Sequence, residues 1–213
     1  MTLPARLAAV YPSGMTVAVF DFDGTLTRVD SFPVFLAGAV PPLKLAAGLA
    51  ALSPSVAAMA LGRLANWRLK EAFLTRFFAG LPLANLQEKA RRFSSRRLPW
   101  LVRPAGLERI RWHQEQGHRV VIASASLELY LRMWAESVGV EDVLGTRLEI
   151  RDGVVTGKIL GSNCWGPEKV VRLTELLGTL QGRVLYAYGD GEGDRELLGV
   201  ATHAAYRSFQ PGS

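Results

Sequence analysis

One cysteine, Cys164, stands in 213 residues. A lone thiol excludes an internal disulfide framework and fits a reducing cytosol. No internal repeat and no low-complexity linker interrupts the chain, which excludes repeat architectures and tethered modules. The opening segment, MTLPARLAAVYPSG, lacks the marks of a secretory signal, because its short apolar stretch runs into Pro12, Ser13 and Gly14. A strongly apolar membrane span is lacking too. The least charged stretch, Leu45 to Gly62, is rich in Ala and interrupted by Pro54, which leaves spanning as its least favoured reading.

What is present is ordinary for a folded enzyme-sized domain. Hydrophobic residues make up 49% of the chain, enough to offset the entropy of folding and exclude disorder as the main state. The formal net charge is +6, from 25 Lys and Arg against 19 Asp and Glu. A basic balance favours anionic partners without choosing between phosphorylated metabolites, nucleic acid and anionic lipid.

Apolar, β-branched runs at Thr16–Phe20, Arg119–Ala123 and Arg183–Gly189 read as buried strands of a parallel sheet. Between them the text turns helical: Pro104 to a stop at Gly117, Leu127 to Val138, Pro167 to Leu177, and Asp194 to Leu198. Leu148–Ile150, Asp152-Gly153 and Val154–Ile159 read as a hairpin, and Ala201–Tyr206 as a final edge strand. Strands alternating with helices predict a doubly wound α/β sheet, whose ligands bind at the carboxyl ends of the strands. Between Asp30 and Arg103 no strand is convincing, and several helices are expected, forming a cap over that crevice.

Three strand ends then aim polar residues at one place: Asp21 and Asp23, Ser124, and Asp190 with Asp194, while Lys169 opens the helix before the third strand. Such a set suits phosphoryl transfer. A carboxylate can attack phosphorus and hold the group, splitting one difficult step in two. Mg²⁺ prefers a few hard oxygen ligands, and a hydroxyl and an ammonium can bind the remaining phosphoryl oxygens. The bland readings do worse. A calcium loop from Asp21 needs Gly at Leu26 and Glu at Phe32, and one from Asp190 needs Gly at Arg195 and an acid at Ala201. GDGEGD is no dinucleotide fingerprint, since Asp194 replaces its third Gly.

Asp21-Phe-Asp23-Gly-Thr25, Ser124 in VIASAS, Lys169 in GPEKV and Asp190-Gly-Glu-Gly-Asp194 resemble, in order, the four motifs of the haloacid dehalogenase superfamily of phosphatases. The long gap between Asp21 and Ser124 fits its subfamily IB. The resemblance implies a Rossmann-like core at 1–29 and 104–213 with an inserted helical (C1-type) cap at 30–103. It also implies an aspartyl-phosphate mechanism. Asp21 would be nucleophile and metal ligand, Asp23 the acid and base with its carbonyl on Mg²⁺, and Asp190 a further metal ligand. Asp194 would act through water or orient Lys169. Ser124, Lys169 and the backbone at Gly24 and Thr25 would hold the phosphoryl group.

Within that subfamily the chain is similar to the phosphatidylglycerophosphatase C type, in its uncharged cap segment, in Asp30 after GTLTR, and in Asn163 to Lys169. It looks less like phosphoserine phosphatase, whose second motif continues with paired glycines where Ala125-Ser126 stand here. Asp30 occupies the place of that family's substrate-facing acid, so an amino-acid phosphate stays open, with Arg63 or Arg68 as a carboxylate partner. The expected substrate is a lipid phosphate such as phosphatidylglycerol phosphate; the alternatives are a small phosphometabolite, or an inactive basic protein that binds membrane or nucleic acid. The uncharged cap segment is read first as a helical hairpin buried on itself and the core, with a bilayer surface as the alternative. The basic cluster from Lys89 to Arg111 reads either as a solvated face or as an attraction for anionic headgroups. Aromatics are scarce in that cluster, so no nucleic-acid partner is expected. The protein is expected in the cytoplasm, peripheral to the inner face of the membrane if the cap meets lipid.

Overall fold

The computed structural model describes residues 14–210, so the opening segment read above falls outside it except for Gly14. β1 (Val17–Phe20) is buried along its whole length. A tight turn at Phe22–Leu26 follows. Five helices come next: α1 (Ser31–Ala39), α2 (Pro42–Ala60), α3 (Asn66–Phe78), α4 (Leu83–Arg96) and α5 (Leu98–Leu101). The alternating part comprises α6 (Pro104–Glu115), β2 (Arg119–Leu127), α7 (Glu128–Ser137), β3 (Asp142–Thr146), the hairpin β4 (Leu148–Arg151) and β5 (Val154–Ile159), α8 (Pro167–Leu177), β6 (Leu185–Gly189), α9 (Arg195–Gly199) and β7 (His203–Tyr206).

Five strands form one sheet in the order β3-β2-β1-β6-β7, and every neighbouring pair is parallel. β1 lies in the middle because its side chains are apolar on both faces. Ala18 and Phe20 join the core shared with α6, α7 and the helical insert. Val17 and Val19 join the core under α8 and α9. A strand covered on both sides has no use for alternation, which is why its sequence is an unbroken apolar run. The chain crosses into the insert and returns at one place, where the Arg28 N–H bonds Leu101 O and the Arg103 N–H bonds Leu26 O.

The expected elements form with three differences. β2 continues past Ala123 to Leu127, with an irregular register against β3. β3 itself was not foreseen, since Asp142 and Gly145 break its apolar text. Asp142 is buried there against Arg119, with Nε 2.6 Å from Oδ2. The third difference is a correction: α2 is not buried in a hairpin. Of its side, only Gly48 is buried, where α2 crosses Phe77 of α3, and Leu43 at its start is 85% exposed. Its small residues pack one narrow stripe, and nothing among the described residues covers the rest. α2 is long and apolar enough to cross a membrane by length and composition alone.

Candidate active site

Asp21 follows β1 directly, and its N–H bonds Tyr188 O at the end of β6, so the sheet itself fixes the start of the turn. Within the turn, Asp23 is extended and Gly24 has φ +84. A Cβ on Gly24 would overlap the Asp190 carboxylate, so glycine serves here both the backbone and the close approach. The Thr25 hydroxyl donates to Asp190 Oδ1 at 3.0 Å. Turn and third strand end are thereby tied together.

Lys169, in the first turn of α8, is 2% exposed. Its Nζ lies 2.6 Å from Asp21 Oδ1 and 2.6 Å from Asp194 Oδ1. Asp194 Oδ2 accepts the N–H groups of Asp190 and Gly191 at 3.0 and 3.1 Å. Asp194 thus contacts Lys169 directly and also stands in the acidic cluster with Asp21 and Asp190. Burial is the main cause that pushes the Asp21 carboxyl up to about 7, against the pull of Lys169. Burial alone would lower the Lys169 ammonium, but Asp21 and Asp194 outweigh it and hold it above its ordinary value. Burial also raises Asp190.

Oxygens of Asp21, Asp190 and Asp194 lie within 4.8 Å of one another. This hard, anionic donor set, with Gly24 leaving the Asp190 carboxylate room, fits a divalent cation such as Mg²⁺. Asp23 Oδ1 accepts the Ser31 N–H at 2.9 Å, and Oδ2 accepts the Ser126 hydroxyl. Burial, with a contribution from Asp30, moves the Asp23 carboxyl up to about 6. Ser124 Oγ accepts the Ser126 N–H at 3.1 Å, which leaves its hydroxyl proton to donate.

These groups floor a cavity of about 1020 Å³. Asp21, Asp23, Ser124, Lys169, Asp190 and Asp194 line it, while Gly24 and Thr25 are not in the lining and contact Asp190 instead. Asp30 lines it too, and its Oδ1 caps α1 by accepting the Phe32 N–H at 2.9 Å. Arg63 and Arg68 do not reach the lining; Arg68 lies over the Trp67 ring instead. Lys70 does, and sequence reasoning missed it. Its Nζ bonds Ala125 O at 2.6 Å and Asn163 Oδ1 at 3.1 Å, and burial lowers its basicity. A lysine among Leu69, Phe73 and Leu74 on a helix face was the available signal. Away from the floor the wall is apolar, built from Leu36, Leu45, Leu49, Met59, Leu69 and Phe73.

The profile of haloacid dehalogenase-like hydrolases matches residues 18–199. Protein CicA of Caulobacter vibrioides is 36% identical over 195 residues, covering 91% of this chain and 86% of that one. Among solved structures, a Bordetella pertussis Tohama I protein of unknown function superposes with a TM-score of 0.77 at 24% identity, over 89% of this chain and 88% of that one. A phosphoserine phosphatase solved as a phospho-aspartyl intermediate analogue gives 0.58 at 19% identity, over 88% and 84%. The five-stranded parallel sheet with its flanking helices is the Rossmann-like fold these proteins share. By the reach of that profile and the likeness to CicA, the chain belongs to the haloacid dehalogenase-like hydrolase family and is an enzyme of that class.

Proposed function

We propose that the protein is a Mg²⁺-dependent phosphomonoester hydrolase that carries the phosphoryl group on Asp21. The observation that carries this is the meeting of Asp21, Asp190 and Asp194 within 4.8 Å, with Lys169 bridging Asp21 and Asp194. One oxygen of Asp21 is anchored by Lys169, and Oδ2 accepts no hydrogen bond from the described residues. Oδ2 attacks phosphorus, and the bond from phosphorus to the ester oxygen breaks. Asp23 gives its proton to that leaving oxygen, then takes one from the water that hydrolyses the acyl phosphate. Ser124 and Lys169 bind the phosphoryl oxygens as charge shifts in the transition state, joined by the backbone at Gly24 and Thr25. Asp21, Asp190 and the carbonyl of Asp23 would hold Mg²⁺. The ion supplies charge neutralisation on the phosphoryl group. A related fold captured as a phospho-aspartyl analogue supports the same chemistry here. In this reading residues 30–103 are the cap, and 1–29 with 104–213 the core.

The apolar wall favours an amphiphilic substrate, a lipid phosphate such as phosphatidylglycerol phosphate. A phosphoserine-sized molecule would leave Leu45, Leu49 and Met59 facing water. The outer side of α2 supports a cytoplasmic protein peripheral to an anionic bilayer. Leu43 and Leu61 are exposed at its two ends, with Lys44 and Arg63 beside them.

A panel of phosphatidylglycerol phosphate, phosphoserine and sugar phosphates, with Mg²⁺ and with chelator, tests these statements. Chelator-sensitive hydrolysis with preference for the lipid is expected. Preference for phosphoserine would remove the lipid assignment, and indifference to chelator the metal. Flotation with anionic vesicles tests the surface; no binding at low salt removes it.

A further inference from the structure

Asp23 must lose a proton in one half-reaction and regain it in the next while staying in place. We propose that the hydroxyls of Ser31, Ser126 and Tyr130 form a ring that holds Asp23 through both proton states, an inference which rests on the acid–base role of Asp23 given above. Three elements contribute: Ser31 opens α1 in the insert, Ser126 lies in β2, and Tyr130 lies in α7. All three residues are buried. Ser31 Oγ lies 3.0 Å from Ser126 Oγ and 2.9 Å from Tyr130 Oη, and Tyr130 Oη lies 2.8 Å from Ser126 Oγ. Ser126 Oγ donates to Asp23 Oδ2, and the Ser31 side chain also favours the ionised Asp23 carboxyl.

The proton count decides what such a ring can do. Each hydroxyl has one proton to donate and two lone pairs to accept with. When Asp23 is ionised, Ser126 donates to Oδ2 and accepts from Tyr130, and Tyr130 accepts from Ser31. When Oδ2 carries the proton, it donates to Ser126, which turns its own proton to Tyr130. Tyr130 then donates to Ser31, and Ser31 back to Ser126. Three hydroxyl rotations exchange the two patterns, and no heavy atom moves.

No buried donor is stranded in either state, a loss that costs about 1–3 kcal/mol elsewhere in proteins. On the other oxygen, the Ser31 N–H can only donate, so it fixes Oδ1 as the acceptor and leaves Oδ2 as the exchanging atom. Burial drives the Tyr130 phenol further above its ordinary range, so it remains a hydroxyl throughout. Ser126 stands where the second motif departs from paired glycines, and neither glycine could supply this contact. The three are positioning residues: Ser126 and Ser31 bond Asp23, Tyr130 acts through those two serines, and none is assigned a contact with the reacting phosphorus.

Ser126→Ala and Tyr130→Phe test the ring by leaving group. p-Nitrophenyl phosphate releases a stabilised anion that needs no proton, whereas an alkyl phosphomonoester needs one. Both variants are expected to lose about tenfold or more on the alkyl phosphate that the wild type turns over fastest. With p-nitrophenyl phosphate they should keep a rapid burst of p-nitrophenolate and slow only in the steady state, where Asp23 must accept a proton from water. Ser126→Thr, which retains the hydroxyl, should restore the alkyl rate. Equal losses on both substrates including the burst, or no loss on either, would overturn the ring. Undiminished alkyl phosphate turnover by Asp23→Asn would instead overturn the acid–base role beneath it.

Discussion

A methyl group placed on Gly24 would run into the carboxylate of Asp190, although the two residues belong to different strand ends of the sheet. The turn after β1 therefore packs its backbone directly on the Asp190 side chain, which the Thr25 hydroxyl also holds. That contact keeps the Asp190 carboxylate beside Asp21.

Gly24→Ala should push Asp190 aside and strain a backbone held at φ +84. The Mg²⁺ concentration for half-maximal activity is expected to rise about tenfold or more, read from a titration of phosphatase rate. An unchanged requirement would remove the metal role of Asp190.

Lys169→Met leaves Asp21 and Asp194 facing each other without the buried cation between them. Turnover should fall by about 10²–10³, the scale of losing one transition-state donor. Breaking a buried ion pair costs about 3–5 kcal/mol, so urea unfolding should register the change as well.

Lys70 is, with Lys169, one of two cations among the described residues lining the cavity. From α3 it donates to Ala125 O, next to Ser124. Lys70→Met should raise KM by about tenfold on the preferred substrate and lower kcat less. A loss confined to kcat would argue that Lys70 serves the chemistry instead.

His113 does not line the cavity and is buried, with Nδ1 2.8 Å from His118 Nδ1 and Nε2 2.9 Å from the Tyr188 hydroxyl. Burial first, then His118 and Arg109, lower it to about 4. Between its ordinary value of 6.5 and 4, the unfolded chain binds a proton that the folded chain refuses. Stability is therefore whole above 6.5 and drains away as pH falls through that window, by up to about 3 kcal/mol. His113→Asn should show a smaller loss of urea stability between neutral and acid pH than wild type. An equal loss in both would assign the acid sensitivity to other groups.

Much of this was legible in the letters. β1, β2 and β6 announce themselves because strands buried on both faces need uninterrupted apolar text, and their carboxyl ends carry the acids and Ser124. β3 stayed hidden because Asp142 sits inside it, where it pairs with Arg119 from a neighbouring strand. Lys70 escaped for a similar reason: its partners, Ala125 O and Asn163, come from two other segments that no local pattern connects to α3. The exposure of α2 is a tertiary fact as well. Its apolar residues suit a buried helix, and only the absence of a covering element among the described residues tells the two situations apart. Ser126 was visible as a departure from paired glycines, but its meaning needed Ser31 and Tyr130 beside it.

The central claim is that phosphorus passes through a bond to Asp21, and acid quench of a single turnover tests it most directly. Enzyme mixed in excess with p-nitrophenyl phosphate, quenched within the first turnover and mapped by peptide mass, should carry the phosphoryl group on the peptide containing Asp21. Asp21→Asn should carry none. Complete hydrolysis by wild type with no phosphorylated peptide at any time, across early quench points, would contradict the account.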